Sequence, residues 1–253
     1  MLKTYLFISI FLILSTKPLM GQVILIDPGH GGDDCGAMAY LKKKKRKEVQ
    51  VICEKDIALK IAKKIQRLIR KDYKVYLTRS IDSTLTLDKR AHMADKIRAD
   101  IFISIHLNAS STKRGHGFET FYLSNHNDKA IKKIEQIENK NKKGEQVIIN
   151  QILADLVIER TAPGSKKLAN LLHDEISKNI KTKFNLVDRG IKPALFYVLV
   201  LSKRPSVLLE AGFISNDKEI KKILSDDFQN RYAKSVAKGI RKYFNKKKPL
   251  PFF

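Results

Sequence analysis

Beyond the stretch from Tyr5 to Leu14, this chain has no apolar run approaching the length of a membrane span, so no later segment is expected to cross a bilayer. Cysteine is nearly absent. Cys35 and Cys53 stand alone, without a close Cys-x-x-Cys spacing, which excludes a many-bridged scaffold and gives no support to a cysteine-built metal site. No internal repeat is present, so a solenoid or propeller is not expected. Acidic residues are scarce, with 26 Asp plus Glu against 50 Lys plus Arg and a net charge of +24. Such charge points to polyanions. The basic residues are nevertheless scattered along helix-like segments such as "KIAKKIQRLIRK", without the aromatic interleaving of a single-strand binder. Nucleic acid is therefore not an expected partner.

The 253 residues, 43% hydrophobic, suit one globular domain with room for an inserted segment. The opening "MLKTYLFISIFLILSTKPLMGQ" has the outline of a secretory signal peptide over residues 1–21, followed by a domain from 22 to 253. An uncleaved anchor is the alternative. Either way the domain is expected outside the cytoplasm, in the periplasm in preference to the cell surface or medium. Removal of the leader takes Lys3 and Lys17 with it and leaves +22, suited to acidic envelope polymers. No cysteine follows the apolar stretch, so a lipid-attached form is not suggested. In an exported chain Cys35 and Cys53 could form one disulfide or remain two buried thiols.

Along the chain, "QVILID" (22–27), "KVYLTR" (74–79), "DIFISIHLNAS" (100–110), "GFETFYLS" (117–124), "ALFYVLVL" (194–201) and "SVLLEAGFIS" (206–215) read as strands. Helices are expected over 54–71, with an apolar face of Ile57, Ala58, Ile61, Ile65, Leu68 and Ile69, and in "LTLDKRAHMADKIRA", "SKKLANLLHDEISKNI" and "DFQNRYAKSVAKGIRKYF". This alternation predicts an α/β domain: a mainly parallel twisted sheet flanked by helices on both faces. Residues 125–164 depart from it. They are lysine-rich and then amphipathic, and read as an insertion carrying one helix that ends before Pro163 and Gly164.

Polar residues stand where apolar ones would be cheaper. "LIDPGHGG" (25–32) ends a strand on Asp-Pro-Gly and leaves His30 at its carboxyl end, where α/β sheets tend to hold ligands. In "IFISIHLNAS" the alternation puts His106 and Asn108 on the face shared by Phe102 and Ser104. Glu210 follows Val207, Leu208 and Leu209, and an unpaired buried carboxylate is costly. A divalent metal would answer both. His30, Glu54 and His106 offer two imidazole nitrogens and one carboxylate, the ligand set of a catalytic zinc with an open position, and Glu210 would be the extra carboxylate that accepts a proton.

These stretches carry a resemblance. "ILIDPGHGGDDCGA", "EKDIALKIAKKI", "VYLTRSIDSTLTLDKRAHMAD", "ADIFISIHLNAS", "DRGIKPALFYVL" and "SVLLEAGFISN" together resemble, in order and over nearly the whole chain outside 125–164, the zinc-dependent N-acetylmuramoyl-L-alanine amidases of the type-3 amidase family. By position the resemblance implies one Zn2+ per chain on His30, Glu54 and His106, and Glu210 as catalytic glutamate. It implies hydrolysis, in peptidoglycan, of the amide between N-acetylmuramic acid and L-alanine, for wall remodelling or daughter-cell separation. Glu48 is a rival to Glu54, which is preferred because it opens a well-formed helix. In some relatives the insertion holds a helix across the active site until an activator protein moves it; here residues 145–160 are expected either to do this or to form a wall of the substrate groove or plain surface. Asn108 and Arg189 are candidate substrate contacts, Arg79 and Arg90 are expected to brace the fold through carboxylates such as Asp82 and Asp88, and a monomer is expected. A non-catalytic wall binder and a zinc peptidase acting on the stem peptide are the competing readings.

Overall fold

A computed structural model describes residues 21–42, 49–139 and 151–245. Among these, β1 (Val23–Pro28), β4 (Lys74–Leu77), β5 (Ile101–Asn108), β6 (Phe118–Leu123), β7 (Asp188–Ala194) and β8 (Ser206–Phe213) form one sheet in the order β4-β1-β5-β8-β6-β7. All neighbours are parallel except β6 and β8. Every residue of β5 and β8 is buried, which is why both read as near-continuous apolar runs. A separate two-stranded sheet joins β2 (Met38–Lys42) to β3 (Val49–Cys53), antiparallel, immediately before α1 (Glu54–Ile69). The remaining helices are α2 (Leu87–Lys96), α3 (Lys129–Glu138), α4 (Gln151–Phe184), α5 (Tyr197–Ser202), α6 (Asp217–Ile223) and α7 (Asp226–Asn245).

The sheet divides two apolar layers. On one side α1, α7 and the later part of α4 bury Ile57, Ile61, Leu168, Leu172, Val236 and Ile240 against Ile24, Ile103 and Leu209. On the other, α2, α3, α5 and the start of α4 close over Leu25, Phe102, Phe121 and Leu208. The expected α/β architecture with helices on both faces is what the chain adopts. On α1 the buried stripe includes Ala62, whereas Leu68 is exposed.

Two elements differ from expectation. "ALFYVLVL" holds the end of β7 and the helix α5, not a strand: a short run buried on all sides has no periodicity to separate the two, and here Lys203 in a left-handed turn (φ 53°) stops a helix. The helix of the insertion does not end before Pro163. α4 runs through Pro163 and Gly164, burying Ala154, Val157 and Ile158 in one layer and Leu168, Ala169, Leu172, Ile176 and Ile180 in the other. An interior proline costs about 3 kcal/mol, and burial on both sides of it offsets that cost. Within the described residues no helix is long and apolar enough to cross a membrane.

Candidate metal centre and its flanking carboxylates

His30, Glu54 and His106 converge at the carboxyl end of the central strands, their donor atoms all within 4.8 Å of one another. His30 follows β1 in a left-handed conformation (φ 55°), sparsely populated for a residue with a side chain. Two arginines hold that turn by its carbonyls. Arg79 donates to the carbonyls of Pro28 (3.1 Å), Gly29 (2.7 Å) and Lys55 (2.8 Å), and Arg90 to those of Pro28 (2.8 Å) and His30 (2.7 Å). Arg90 also pairs with buried Asp27 at 2.7 Å, so it braces the fold through a carboxylate as expected, with Asp27 in place of Asp82 or Asp88, whereas the hydrogen bonds of Arg79 go to backbone carbonyls. Gly29 must be glycine: a Cβ there would lie 2.4 Å from the His106 ring.

Glu54 opens α1. Its backbone N–H and that of Lys55 donate to the carbonyls of Ala37 and Cys35, so the loop after His30 caps the helix that presents Glu54. A disulfide joins Cys35 to Cys53, the residue before Glu54, across a Cα separation of 5.1 Å; the bridged alternative is the one realised. Gly36 lies against both ligands, where a Cβ would stand 2.5 Å from His30 Cδ2 and 2.7 Å from Glu54 Oε2. Glu48 lies outside the described residues.

The hydrogen bonds sort the ring nitrogens. His30 Nδ1 meets Asp34 at 2.8 Å, which turns Nε2 inward, where it is buried with no hydrogen-bond partner. His106 Nδ1 faces Glu54 Oε1 at 3.0 Å. Burial pushes His30 down, but the carboxylates of Glu54 and Asp34 outweigh it and raise its pKa to about 10. His106 is likewise held well above its ordinary range, by Glu138 and Glu54 against burial. Burial acts to raise Glu54, and the two imidazoles override it and hold its carboxyl well below the usual range. This is an anionic pocket shaped for a cation, and an unpartnered buried imidazole nitrogen beside a second imidazole and a carboxylate fits a divalent metal.

Glu210 stands beside that cluster. It is in register with His106 on β5 and with Glu119 on β6, so the three share one face. Neither carboxylate oxygen of Glu210 has a hydrogen-bond partner, and burial, together with Glu138, raises its pKa well above the ordinary value. The fourth acid is unexpected. Glu138, last residue of α3, puts Oε2 3.1 Å from His106 Nδ1 and 3.6 Å from His30 Nε2. Among the described residues the element that reaches the centre is therefore α3; of the covering helix expected over 145–160, residues 145–150 lie outside the described residues and 151–160 begin α4, with Ala154, Val157 and Ile158 packed in the core. A cavity of about 380 Å³ opens beside the cluster, lined by His30, Asp33, Thr84, Arg90, Glu138 and Phe196 among others.

Of the candidate substrate contacts, Asn108 is buried and donates to Glu119, and Arg189 Nε meets the same carboxylate at 3.2 Å. His116, His126 and His173 bond to Arg114, Glu135 and Asp188, away from the cluster.

Comparison with known proteins identifies the family. The chain matches the N-acetylmuramoyl-L-alanine amidase family over residues 24–242. It belongs to that family. AmiC of Escherichia coli O6:H1, an N-acetylmuramoyl-L-alanine amidase, is 34% identical over 88% of this chain and 52% of its own, so the chain spans about half of that relative. Among solved structures of the family, the catalytic domain of CwlV from Bacillus (Paenibacillus) polymyxa is 30% identical with a TM-score of 0.65, covering 89% of this chain and 99% of that one. The CwlD amidase of Clostridioides difficile, solved in complex with the GerS lipoprotein, is 29% identical with a TM-score of 0.64, covering 89% and 100%.

Proposed function

We propose that this amidase-family chain is a zinc-dependent hydrolase of the amide between N-acetylmuramic acid and L-alanine in peptidoglycan. The observation that carries the reading is Glu210, a buried carboxylate with both oxygens unpartnered, one strand from His106. His30 Nε2, His106 Nδ1 and a Glu54 oxygen would hold the zinc, which supplies a Lewis acid and makes water acidic enough to attack near neutral pH. Glu210 accepts the proton of the attacking water and returns it to the amide nitrogen as the L-alanine amine departs. Its burial, which favours the protonated form, suits that exchange. Asp34 holds His30 in the tautomer that leaves Nε2 free for a ligand.

Glu138 occupies the space where a substrate carbonyl would approach, so α3 keeps the enzyme at low activity until it is displaced. An activator protein acting on residues 125–164 would do this; the complex of CwlD with a lipoprotein is a precedent for such a partner. Export of the domain, to the periplasm or cell surface, places it with its substrate.

Mass spectrometry of soluble products from purified peptidoglycan tests the reading. Stem peptides with a free amino-terminal L-alanine are expected with zinc, are lost with chelator, and increase several-fold with Glu138→Ala. Binding without release, in that variant too, would leave a wall-binding protein, and cleavage within the stem would leave a peptidase.

A further inference from the structure

Beyond Glu210 the same row of side chains continues across the sheet. Glu119 is fully buried and lies directly across from Glu210 on the antiparallel strand β6. At the next strand the pairing shifts between Phe118 and Thr120, so that Arg189 and Gly190 stand opposite Glu119. Glu119 Oε2 accepts from Arg189 Nε and Lys192 Nζ, and Oε1 accepts from Asn108. One buried anion thus fixes two cations. Arg189 also lies over the Phe213 ring, 5.3 Å from its centroid, and Lys192 over Phe121 at 5.9 Å. Both side chains keep an open side, 35% and 29% exposed, and among the described residues the two Nη groups of Arg189 make no hydrogen bond.

The row therefore reverses sign along its length, from the carboxylates around the ligand cluster to a net positive end at β7. Three strand spacings separate β5 from β7, roughly 14 Å, which is about four residues of extended chain, less the reach of the arginine. The glycan side of the scissile amide offers no carboxylate, because the lactyl carboxyl of muramic acid is itself in the bond. The peptide side does. We infer that Arg189 and Lys192, anchored on Glu119, form a subsite for a carboxylate of the leaving peptide, two to four residues beyond the bond that is cut. This rests on the amidase reading for its substrate. Guanidinium and ammonium donors held in place by a buried acid suit a carboxylate and give little to its carboxamide.

The test is calorimetric titration of the zinc-loaded protein, wild type and Glu138→Ala, with synthetic stem peptides that begin with L-alanine. The peptides carry a free carboxylate or its carboxamide at the second, third or fourth residue. The free acid is expected to bind roughly tenfold tighter in at least one of the two proteins, and Arg189→Gln with Lys192→Gln is expected to erase the difference; because that pair of changes strands buried Glu119 and lowers the melting temperature, it is also made together with Glu119→Gln, which is expected to restore the melting temperature while the acid preference stays lost. Equal affinity for acid and amide, no binding of either peptide, or a preference that survives the double change would overturn the subsite. Cleavage of whole peptidoglycan is scored separately: cleavage without an acid preference sinks the subsite alone, and an acid preference without cleavage sinks the amidase reading alone.

Discussion

Two buried polar groups of side chains lie one turn apart at the end of β1, and they are finished differently. Around Asp27 every charge is answered: its carboxylate accepts from Thr78 Oγ1 at 2.6 Å, Ser104 Oγ at 2.8 Å and Arg90 at 2.7 Å, and Arg90 spends its other donors on loop carbonyls. Around His30 the network is left open: both oxygens of Glu210 lack a hydrogen bond, and His30 Nε2 has none either, with only the Glu54 and Glu138 carboxylates near it at 3.2 and 3.6 Å. A fully satisfied network in low dielectric holds a shape, whereas an unsatisfied one is costly and persists where chemistry needs the free valence. The closed group is thus the floor on which the open one is set.

The contrast can be broken from either side. The largest effect is expected from Glu210→Gln, which keeps the shape but removes the proton acceptor: product release from peptidoglycan falls by about 10²- to 10⁴-fold, while zinc content, measured by atomic absorption, is unchanged. On the closed side, Arg90→Met strands the Asp27 charge and is expected to cost about 3–5 kcal/mol of unfolding free energy in urea. Reduction of the Cys35–Cys53 bridge, which closes a separation of 18 residues, is expected to remove about 3 kcal/mol, seen as a lower melting temperature in dithiothreitol. The smallest effect sharpens the comparison through pH. Burial would raise Asp27, but Arg90 and Thr78 overcome it and hold the pKa below 3.8, so its contribution is present above that value and is lost as pH falls through the folded-state pKa. The stability gap between wild type and Asp27→Asn should therefore narrow below about pH 3.8, and a gap that stays constant to pH 2 would show that Asp27 is not held as an anion.

How much of this was legible beforehand follows from the range of each interaction. His30, His106 and Glu210 are visible because each is a polar residue within or just after an apolar run, and Glu54 because it opens a strongly periodic helix. The partner of Arg90 is not visible. Asp27 is 63 residues away, and nothing local distinguishes it from Asp88 or Asp82. Glu138 is one of several charged residues in a lysine-rich insertion, and its place at the centre depends on how α3 packs over the sheet. Pro163 misleads for a related reason: a local rule ends the helix there, and burial in two separate layers carries it on. The Glu119 cluster joins residues 108, 119, 189 and 192, which only the strand order brings together.

That strand order also decides when the sheet can be completed. Among the described residues β8 is the last strand, yet it lies in the middle of the sheet, between β5 and β6. Until residues 206–213 arrive, β4-β1-β5 and β6-β7 have no strand to join them, and each keeps an open edge. The three candidate ligands follow β1, open α1 and sit on β5, all before residue 206, whereas Glu210 comes with the closing strand. A chain cut short before residue 206 would carry the donors of the candidate metal centre but neither the joined sheet nor Glu210, so the proposed base and the completion of the sheet arrive together, on the same strand.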